Sequence, residues 1–289
     1  MRFALFVWRL LSYLPTPLLG LFGYALGWCL FWVGRRTTMR NLELCFPQLS
    51  RAERARIGRR HFMRLTRALL ELGLHIWQPK ERTLKMVRMK GWEHLAPHLG
   101  QPVIMLNPHF VGLNNGSAML GERLAEYTGS VTLYSRHKDP QIDALFYDAR
   151  QRFGSPQLFA RQDGLRGIVK QLKHGVPFFY LPDMDFNSKD AVFVPFFGVL
   201  ASTLTMPSRL AAMTGARVVP VVTRQLSVWR GYEIELFPAW DDFPGADPTE
   251  DARRMNAWLE DRVREMPDQY YWVHKRFGTR PSGEKNLYK

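Results

Sequence analysis

The sequence predicts an α/β protein: a single domain with a mostly parallel central sheet flanked by helices, preceded by an N-terminal hydrophobic membrane-anchor helix. From about residue 80 onwards, strand-length apolar runs alternate with helix-length segments, which is typical of βαβ units. Before them, the 24 residues from Leu10 to Val33 carry no charged side chain. No Gly/Ser/Pro-rich linker divides the later part. We therefore predict a membrane anchor (1–34), a basic amphipathic segment at the membrane surface (35–79) and an α/β domain (80–289).

Composition narrows the class of protein. The chain has 289 residues with 46% apolar and 13% aromatic side chains, which excludes a disordered chain. Its two cysteines, Cys29 and Cys45, are too few for a disulfide scaffold and indicate a reducing compartment. Cys and His do not cluster at zinc-binding spacing, so we expect no metal and no cofactor. The net charge of +14 predicts acidic or anionic partners.

The uncharged stretch is long enough to cross about 30 Å of hydrocarbon at about 1.5 Å per residue. Prolines at 15 and 17 interrupt its start, so a straight helix is expected to begin near Leu18. Gly23 and Gly27 have the GxxxG spacing that indicates close contact with another helix. A core helix is the alternative, and the pattern leaves open whether the anchor spans the membrane or lies in it.

Basic residues follow the stretch and indicate its orientation. Arg35, Arg36 and Arg40 place that end in the cytoplasm by the positive-inside rule. Arg2 and Arg9 on the other flank oppose this assignment.

The next segment reads as an amphipathic helix. Ser50 and Glu53 form a capping box that predicts its start. An apolar face then recurs every three or four residues at Phe62, Leu65, Leu69, Leu72 and Ile76, and arginines crowd the first half. We interpret it as a helix lying on an anionic membrane surface, the alternative being a solvated face over a core helix. Nucleic-acid binding is not expected, because no reading motif accompanies the charge.

The α/β part has recognisable elements. Strands are predicted at Val103–Leu106, Val131–Tyr134, Val176–Leu181, Val192–Phe197 and Val218–Val222, with a half-exposed strand near an edge at Gly231–Phe237. Helices are predicted at Ser117–Tyr127, Asp143–Arg152, Leu165–His174, Ser208–Thr214 and Asp251–Met266.

A candidate catalytic residue stands just past the first of these strands. His109 lies in the segment NPHFVGLN, at the carboxyl end of a strand, where ligand sites form in such sheets. A histidine titrates near neutral pH, so it suits removal of a proton from a hydroxyl. His109 is therefore predicted to be a general base.

Several motifs carry a resemblance to a known family. His109 and position 114 have the H-x4-D/E spacing of the lysophospholipid acyltransferase superfamily. The segments NPHFVGL and YYWVHKRFGTRPSGE resemble the bacterial lipid A late acyltransferases, as do NLELCFPQLSRAERARI, LPDMDF and VPFFG. The resemblance covers nearly the whole chain.

The resemblance implies an activity and a site. Such enzymes transfer a lauroyl or myristoyl chain from acyl carrier protein to a hydroxyl of a primary acyl chain on Kdo2-lipid IVA, on the cytoplasmic face of the inner membrane. By resemblance, His109 is the base and position 114 orients its imidazole. Substrate binding is assigned to Arg136 and Arg161, which suit phosphate or carboxylate groups, and to Asp183 and Asp185. An apolar groove must hold the acyl chain, and Phe178, Phe179, Phe193, Phe196 and Phe197 either line it or belong to the core.

The chain departs from the family at position 114, where Asn replaces Asp or Glu. The missing charge predicts a rate loss on the order of 10²–10⁴. Three explanations are open: a disabled variant, recruitment of another carboxylate such as Asp183 or Asp185, or a non-catalytic relative. The competing functions are a membrane-anchored lipid-binding protein with a decayed site and an acyltransferase acting on a glycerophospholipid. The latter is disfavoured because LPDMDF replaces that branch's FPEGTRS-like block.

Overall fold

A computed structural model of the chain describes residues 2–185, 187–188 and 190–289. Phe186, the last residue of the LPDMDF motif, lies outside them. The helices are α1 (Arg2–Leu11), α2 (Thr16–Cys45), α3 (Arg51–Trp77), α4 (Lys80–Leu84), α5 (Leu113–Ala125), α6 (Pro140–Gln151), α7 (Arg166–Lys173), α8 (Met206–Thr214) and α9 (Pro248–Glu265).

The strands form a central sheet and a separate hairpin. They are β1 (Val87–Lys90), β2 (Val103–Leu106), β3 (Val131–Tyr134), β4 (Gln157–Ala160), β5 (Phe178–Tyr180), β6 (Ala191–Phe196), β7 (Val199–Leu204), β8 (Arg217–Gln225) and β9 (Tyr232–Leu236). Among the described residues the sheet has the order β1-β9-β8-β2-β5-β3-β4, and its pairs are parallel except β8 with β9. The predicted fold class is confirmed.

Three details of the strand prediction were wrong. The Val192–Phe197 run forms β6, which pairs antiparallel with β7 outside the central sheet. The strands β1, β4 and β7 were not predicted. β9 lies next to the edge strand β1, but it is mostly buried: Glu233 pairs with Lys90 at 3.0 Å.

The N-terminal helices pack closely on one another. α2 is long and apolar enough to cross a membrane, and it continues to Cys45, so the domain boundary predicted at residue 34 falls inside a helix. It ends just before Pro47. A Cβ atom added to Gly23 or Gly27 would lie 2.6 Å from the Arg67 Cα or 2.4 Å from the Phe62 carbonyl oxygen. The close helix contact predicted from the GxxxG spacing is therefore confirmed.

α3 begins as predicted but uses its faces differently. The Ser50 amide donates to Glu53 Oε2 at 2.8 Å and the Glu53 amide donates to Ser50 Oγ at 3.2 Å, which completes the capping box. Phe62 packs against α2. The other four predicted apolar residues, Leu65, Leu69, Leu72 and Ile76, line a groove. Arg67, one of the arginines of this segment, does not face solvent but is fully buried in an ion pair with Glu71.

Candidate active site

His109 lies in the loop between β2 and α5, at the carboxyl edge of the sheet. Its Nδ1 atom is 2.7 Å from Oδ1 of Asp183, which follows the neighbouring strand β5. The backbone amide of His109 also donates to Asp183, at 3.2 Å from Oδ1 and 3.0 Å from Oδ2. Because β2 and β5 are adjacent parallel strands, their carboxyl ends bring the two residues together.

Asp183 is ionised in this arrangement. Burial raises the pKa of its carboxyl group, but the adjacent His109 and the hydrogen bonds from its imidazole and amide outweigh burial and lower that pKa. An ionised carboxylate accepts a hydrogen bond, so Nδ1 carries the proton and Nε2 is left as the acceptor. The Asp183 side chain is 1% exposed and that of His109 is 22% exposed. The imidazole of His109 is therefore partly open to solvent, and the carboxylate that pairs with it is buried.

The C-terminal segment holds this loop in place. The Tyr271 amide donates to the His109 carbonyl at 3.0 Å, and the Val111 amide donates to the Gln269 carbonyl at 2.9 Å. Phe110 and Tyr270 form an antiparallel bridge between these bonds. Burial and the neighbouring Asp183 raise the pKa of the Tyr270 hydroxyl, so this segment lies against both members of the pair.

Asn114 makes no hydrogen bond to His109, although the family spacing predicts that it orients the imidazole. It lies in the first turn of α5, exposed at the groove wall, and its side chain makes no hydrogen bond to any residue that the structure describes. The group on His109 Nδ1 is Asp183 instead. The next residue, Asn115, is buried, and its Oδ1 lies 3.0 Å from Nε2 of His75.

The two aspartates assigned to substrate binding face elsewhere. Asp183 is buried behind His109 and does not line the groove. Asp185 accepts from the backbone amides of Asn187 at 3.1 Å and Thr279 at 2.6 Å. Its own amide donates to Nε2 of His274 at 2.9 Å. These contacts make Asp185 a tether between the loop after β5 and the C-terminal segment.

An apolar groove of about 520 Å³ begins beside His109. It passes between α3, α5, β3 and α6 and reaches Ser130 and Pro156, which stand at the amino ends of β3 and β4. The four residues of β3 correspond to about 13 Å of depth at about 3.3 Å per residue. Of the five phenylalanines considered from the sequence, only Phe179 lines the groove, while Phe178 and Phe196 are core residues.

The two predicted arginines follow neighbouring strands at the same edge. Arg136 comes two residues after β3, is exposed, and lies 3.4 Å from Asp163. Its pKa is raised by a hydrogen bond with Tyr134 and by the charge of Asp163. Arg161 directly follows β4 and lines the groove. A fixed positive charge therefore stands at the groove entrance.

Sequence reasoning missed three features of the site. It assigned Asp183 to the substrate and named it, beside Asp185, only as a carboxylate that could replace the charge missing at position 114, since the pairing with His109 exists only across strands β2 and β5. It assigned no role to Tyr270 and Tyr271, although both stand in the quoted tail motif. It also left His75 unmentioned, which lines the groove from α3. The tail motif was the available signal, but its position beside His109 depends on long-range contacts.

Comparisons with known proteins identify the family. The family described as "Bacterial lipid A biosynthesis acyltransferase" matches residues 2–279. The chain is 33% identical over 281 residues to the lipid A biosynthesis lauroyltransferase of Escherichia coli K12, covering 95% of this chain and 90% of that protein. It is 32% identical to the E. coli lipid A biosynthesis palmitoleoyltransferase, with 99% and 93% covered.

A more distant relative and one solved structure were also found. The chain is 31% identical to the E. coli lipid A biosynthesis myristoyltransferase, covering 88% of this chain and 78% of that protein. The crystal structure of the 1-acyl-sn-glycerophosphate acyltransferase from Thermotoga maritima matches at 15% identity and a TM-score of 0.38, covering 84% of this chain and 96% of that one. On the family match and the curated relatives, the chain belongs to the bacterial lipid A biosynthesis acyltransferases.

Proposed function

We propose that this acyltransferase moves a lauroyl or myristoyl chain from acyl carrier protein to a hydroxyl of a primary acyl chain on Kdo2-lipid IVA, with the pair His109–Asp183 as its base. The observation that carries the proposal is the position of this pair at one end of an apolar groove. A groove walled by aliphatic and aromatic side chains suits a fatty acyl chain, and the end beside His109 is where its thioester would lie.

The pair supplies the proton transfer that ester formation needs. Nε2 of His109 takes the proton of the acceptor hydroxyl while its oxygen attacks the thioester carbonyl carbon. A carbon–oxygen bond forms, the carbon–sulfur bond breaks, and the proton passes from Nε2 to the leaving thiolate. Asp183 holds the imidazole in the reactive tautomer and stabilises the imidazolium that forms between these steps.

This assignment answers the question raised by Asn114. The negative charge expected at position 114 is supplied by Asp183, from the side of the imidazole opposite the groove. Of the three explanations for Asn114, recruitment of another carboxylate is the one that the His109–Asp183 pair supports. We therefore expect ordinary turnover, not an impaired enzyme.

Positive charge at the groove entrance accounts for the partners. Arg136 and Arg161 bind phosphate or carboxylate groups of the lipid A precursor, because guanidinium groups pair with both in bidentate geometry. The net charge of +14 attracts the acidic carrier protein and an anionic membrane surface. Both partners place the catalytic domain at the cytoplasmic face of the bacterial inner membrane.

The test measures acyl transfer from lauroyl- and myristoyl-acyl carrier protein to Kdo2-lipid IVA in detergent. It compares the unaltered chain with His109→Ala, Asp183→Asn and Asn114→Asp. We expect His109→Ala to abolish turnover and Asp183→Asn to lower it on the order of 10²–10⁴-fold, since the imidazolium loses its anion. Asn114→Asp is expected to change the rate by about threefold or less, well below the effect of losing that anion.

The matched control is Asp190→Asn, which removes an exposed carboxylate paired with Arg209 at 3.0 Å. It should leave turnover unchanged. A hundredfold gain in Asn114→Asp, or full activity in Asp183→Asn, would contradict the assigned pair. If the unaltered chain binds the lipid but transfers no acyl group, a lipid-binding function replaces the proposed one.

A further inference from the structure

We infer that the N-terminal apolar helix α2 does not cross the bilayer but inserts into a single leaflet, so that both of its ends stay on the side of the α/β domain. The inference goes beyond acyl transfer and holds whichever lipid is the substrate. The exposed apolar residues of α1, of α2 and of the turn between them form one surface, and its occupant is the acyl-chain region of one membrane leaflet.

One face of α2 is unavailable to lipid because α3 covers it. A Cβ added at Gly20 would lie 2.9 Å from Val228 Cγ1, and one at Gly23 would lie 2.6 Å from the Arg67 Cα. Gly27 is as close to the α3 backbone, at 2.4 Å from the Phe62 carbonyl oxygen. One face of the apolar half of α2 is therefore in contact with protein along its whole length. Val228, which contacts Gly20, belongs to the loop between β8 and β9.

The same stretch of α3 that contacts α2 is also bonded to the α/β domain. Arg67 Nε donates to Glu71 at 2.9 Å, and Arg67 Nη1 donates to the Leu226 carbonyl at 2.9 Å. The Tyr232 hydroxyl of β9 donates to Glu71. One turn earlier, Arg64 pairs with Asp268 at 2.9 Å. These contacts fix α3, and α2 with it, along the side of the sheet.

A spanning arrangement conflicts with these contacts. If the segment from Leu18 to Val33 crossed the hydrocarbon, the strand ends and loops bonded to α3 would enter it as well. Irregular backbone and ionised side chains do not face lipid at that depth, because their polar groups lose hydrogen bonds to water. Insertion of the outward face alone avoids this cost.

The outward face has the composition of a leaflet-inserting surface. Its exposed apolar side chains are Phe3, Phe6, Val7 and Leu10 from α1, Tyr13 from the turn that follows, and Leu18, Leu21, Phe22, Trp28, Leu30, Trp32 and Val33 from α2. The first charged residues of α2 follow directly. The guanidinium groups of Arg35 and Arg59 lie 4.7 Å and 5.9 Å from the centre of the Trp32 ring.

Tryptophans mark an interface at both ends of the segment. Trp32 stands at the end nearer the arginines, and Trp229 is 75% exposed in the loop that contacts Gly20. Trp prefers the headgroup region because its ring is apolar and its N–H is polar. The two tryptophans therefore favour a helix that lies along one interface, since a helix crossing the bilayer would carry its start away from the domain loop.

The experiment asks on which side each end of α2 lies. Tyr13→Cys and Arg36→Cys are made separately in the full chain with Cys29→Ser and Cys45→Ala, and each variant is first shown to keep its acyl transfer activity. A membrane-impermeant maleimide is then added to spheroplasts, to inverted inner-membrane vesicles and to detergent-solubilised protein. Thr16→Cys repeats the first position at the start of α2.

If α2 inserts into one leaflet, the Tyr13→Cys, Thr16→Cys and Arg36→Cys variants should all be labelled in detergent. In spheroplasts each of the three should be labelled at less than about a tenth of its level in detergent. Labelling of Tyr13→Cys in spheroplasts with Arg36→Cys protected would show a spanning helix and overturn the inference. Labelling of both positions in spheroplasts would keep the single-leaflet insertion and instead contradict the cytoplasmic location in the proposed function.

Discussion

The edge of the sheet that carries His109 and the buried side of α3 use similar side chains in different ways. At the edge, His109 pairs with the carboxylate of Asp183 at 2.7 Å and remains partly exposed to the groove. On α3, His75 pairs with the amide of Asn115 at 3.0 Å and is buried. Burial lowers the pKa of His75 to about 4, so it stays neutral at physiological pH.

The difference explains why His109, and not His75, is proposed as the base. A carboxylate behind the ring stabilises the imidazolium, and an open nitrogen in front receives the proton. His75 has neither, because its partner is the uncharged Asn115 and its ring is buried. The ion pair of Arg67 and Glu71 also offers no exposed proton acceptor, since both side chains are fully buried.

The largest effect on stability is expected from breaking that buried ion pair. Arg67→Met leaves the Glu71 carboxylate buried without its cation, and should lower the free energy of unfolding by about 3–5 kcal/mol. Acyl transfer per folded molecule should be unchanged, because the pair does not contact the groove. Chemical denaturation in detergent measures the first quantity, and a single-turnover assay the second.

The double variant Arg67→Met, Glu71→Leu is the control for this prediction. Removing both charges should recover most of the lost stability, because no buried charge is left unpaired. An Arg67→Met variant as stable as the parent chain would contradict the predicted loss of stability. A variant that folds but loses acyl transfer would contradict the prediction that the ion pair does not affect the active site.

Acid should act on the α3 region through His75. Its folded-state pKa of about 4 lies below the ordinary 6.5, so the unfolded chain binds the extra proton first. Stability is complete above pH 6.5 and falls as the pH drops towards 4, by about 3 kcal/mol for this group. His61, whose pKa burial lowers to about 3, adds a loss in the same direction.

The measurement is the unfolding temperature between pH 7 and pH 4 for the parent chain, His75→Gln and His174→Gln. His75→Gln should flatten the decline, whereas His174→Gln, which removes an exposed histidine, should follow the parent. Parallel curves for all three proteins would show that His75 is not the group responsible.

The smallest effect is expected at the α2–α3 contact. Gly27→Ala introduces a Cβ 2.4 Å from the Phe62 carbonyl oxygen, and the two helices must separate to accommodate it. We expect a loss of about 1–3 kcal/mol in the free energy of unfolding. In Gly34→Ala the nearest atom is the edge of the Phe62 ring at 3.0 Å, which can move, so that variant should lose less. Equal losses would argue against close helix packing at Gly27.

Much of the fold could be predicted from the sequence because short local patterns determine where strands and helices form. The apolar runs predicted β2, β3 and β8, and the GxxxG spacing predicted the contact of Gly23 and Gly27 with another helix. The capping box predicted the start of α3. By contrast, β6 was assigned to the wrong sheet, because strand periodicity does not specify which neighbour a strand pairs with.

The site divides along the same line. The sequence by itself determined that His109 and Arg136 each follow a strand and that position 114 lacks a charge, since each statement concerns a residue and its near neighbours. Only the tertiary structure decided that Asp183 is the partner of His109, that Asp185 is a tether, and that the apolar face of α3 walls a groove. Those contacts join residues far apart in the chain, and the packing of adjacent parallel strands and helices determines them.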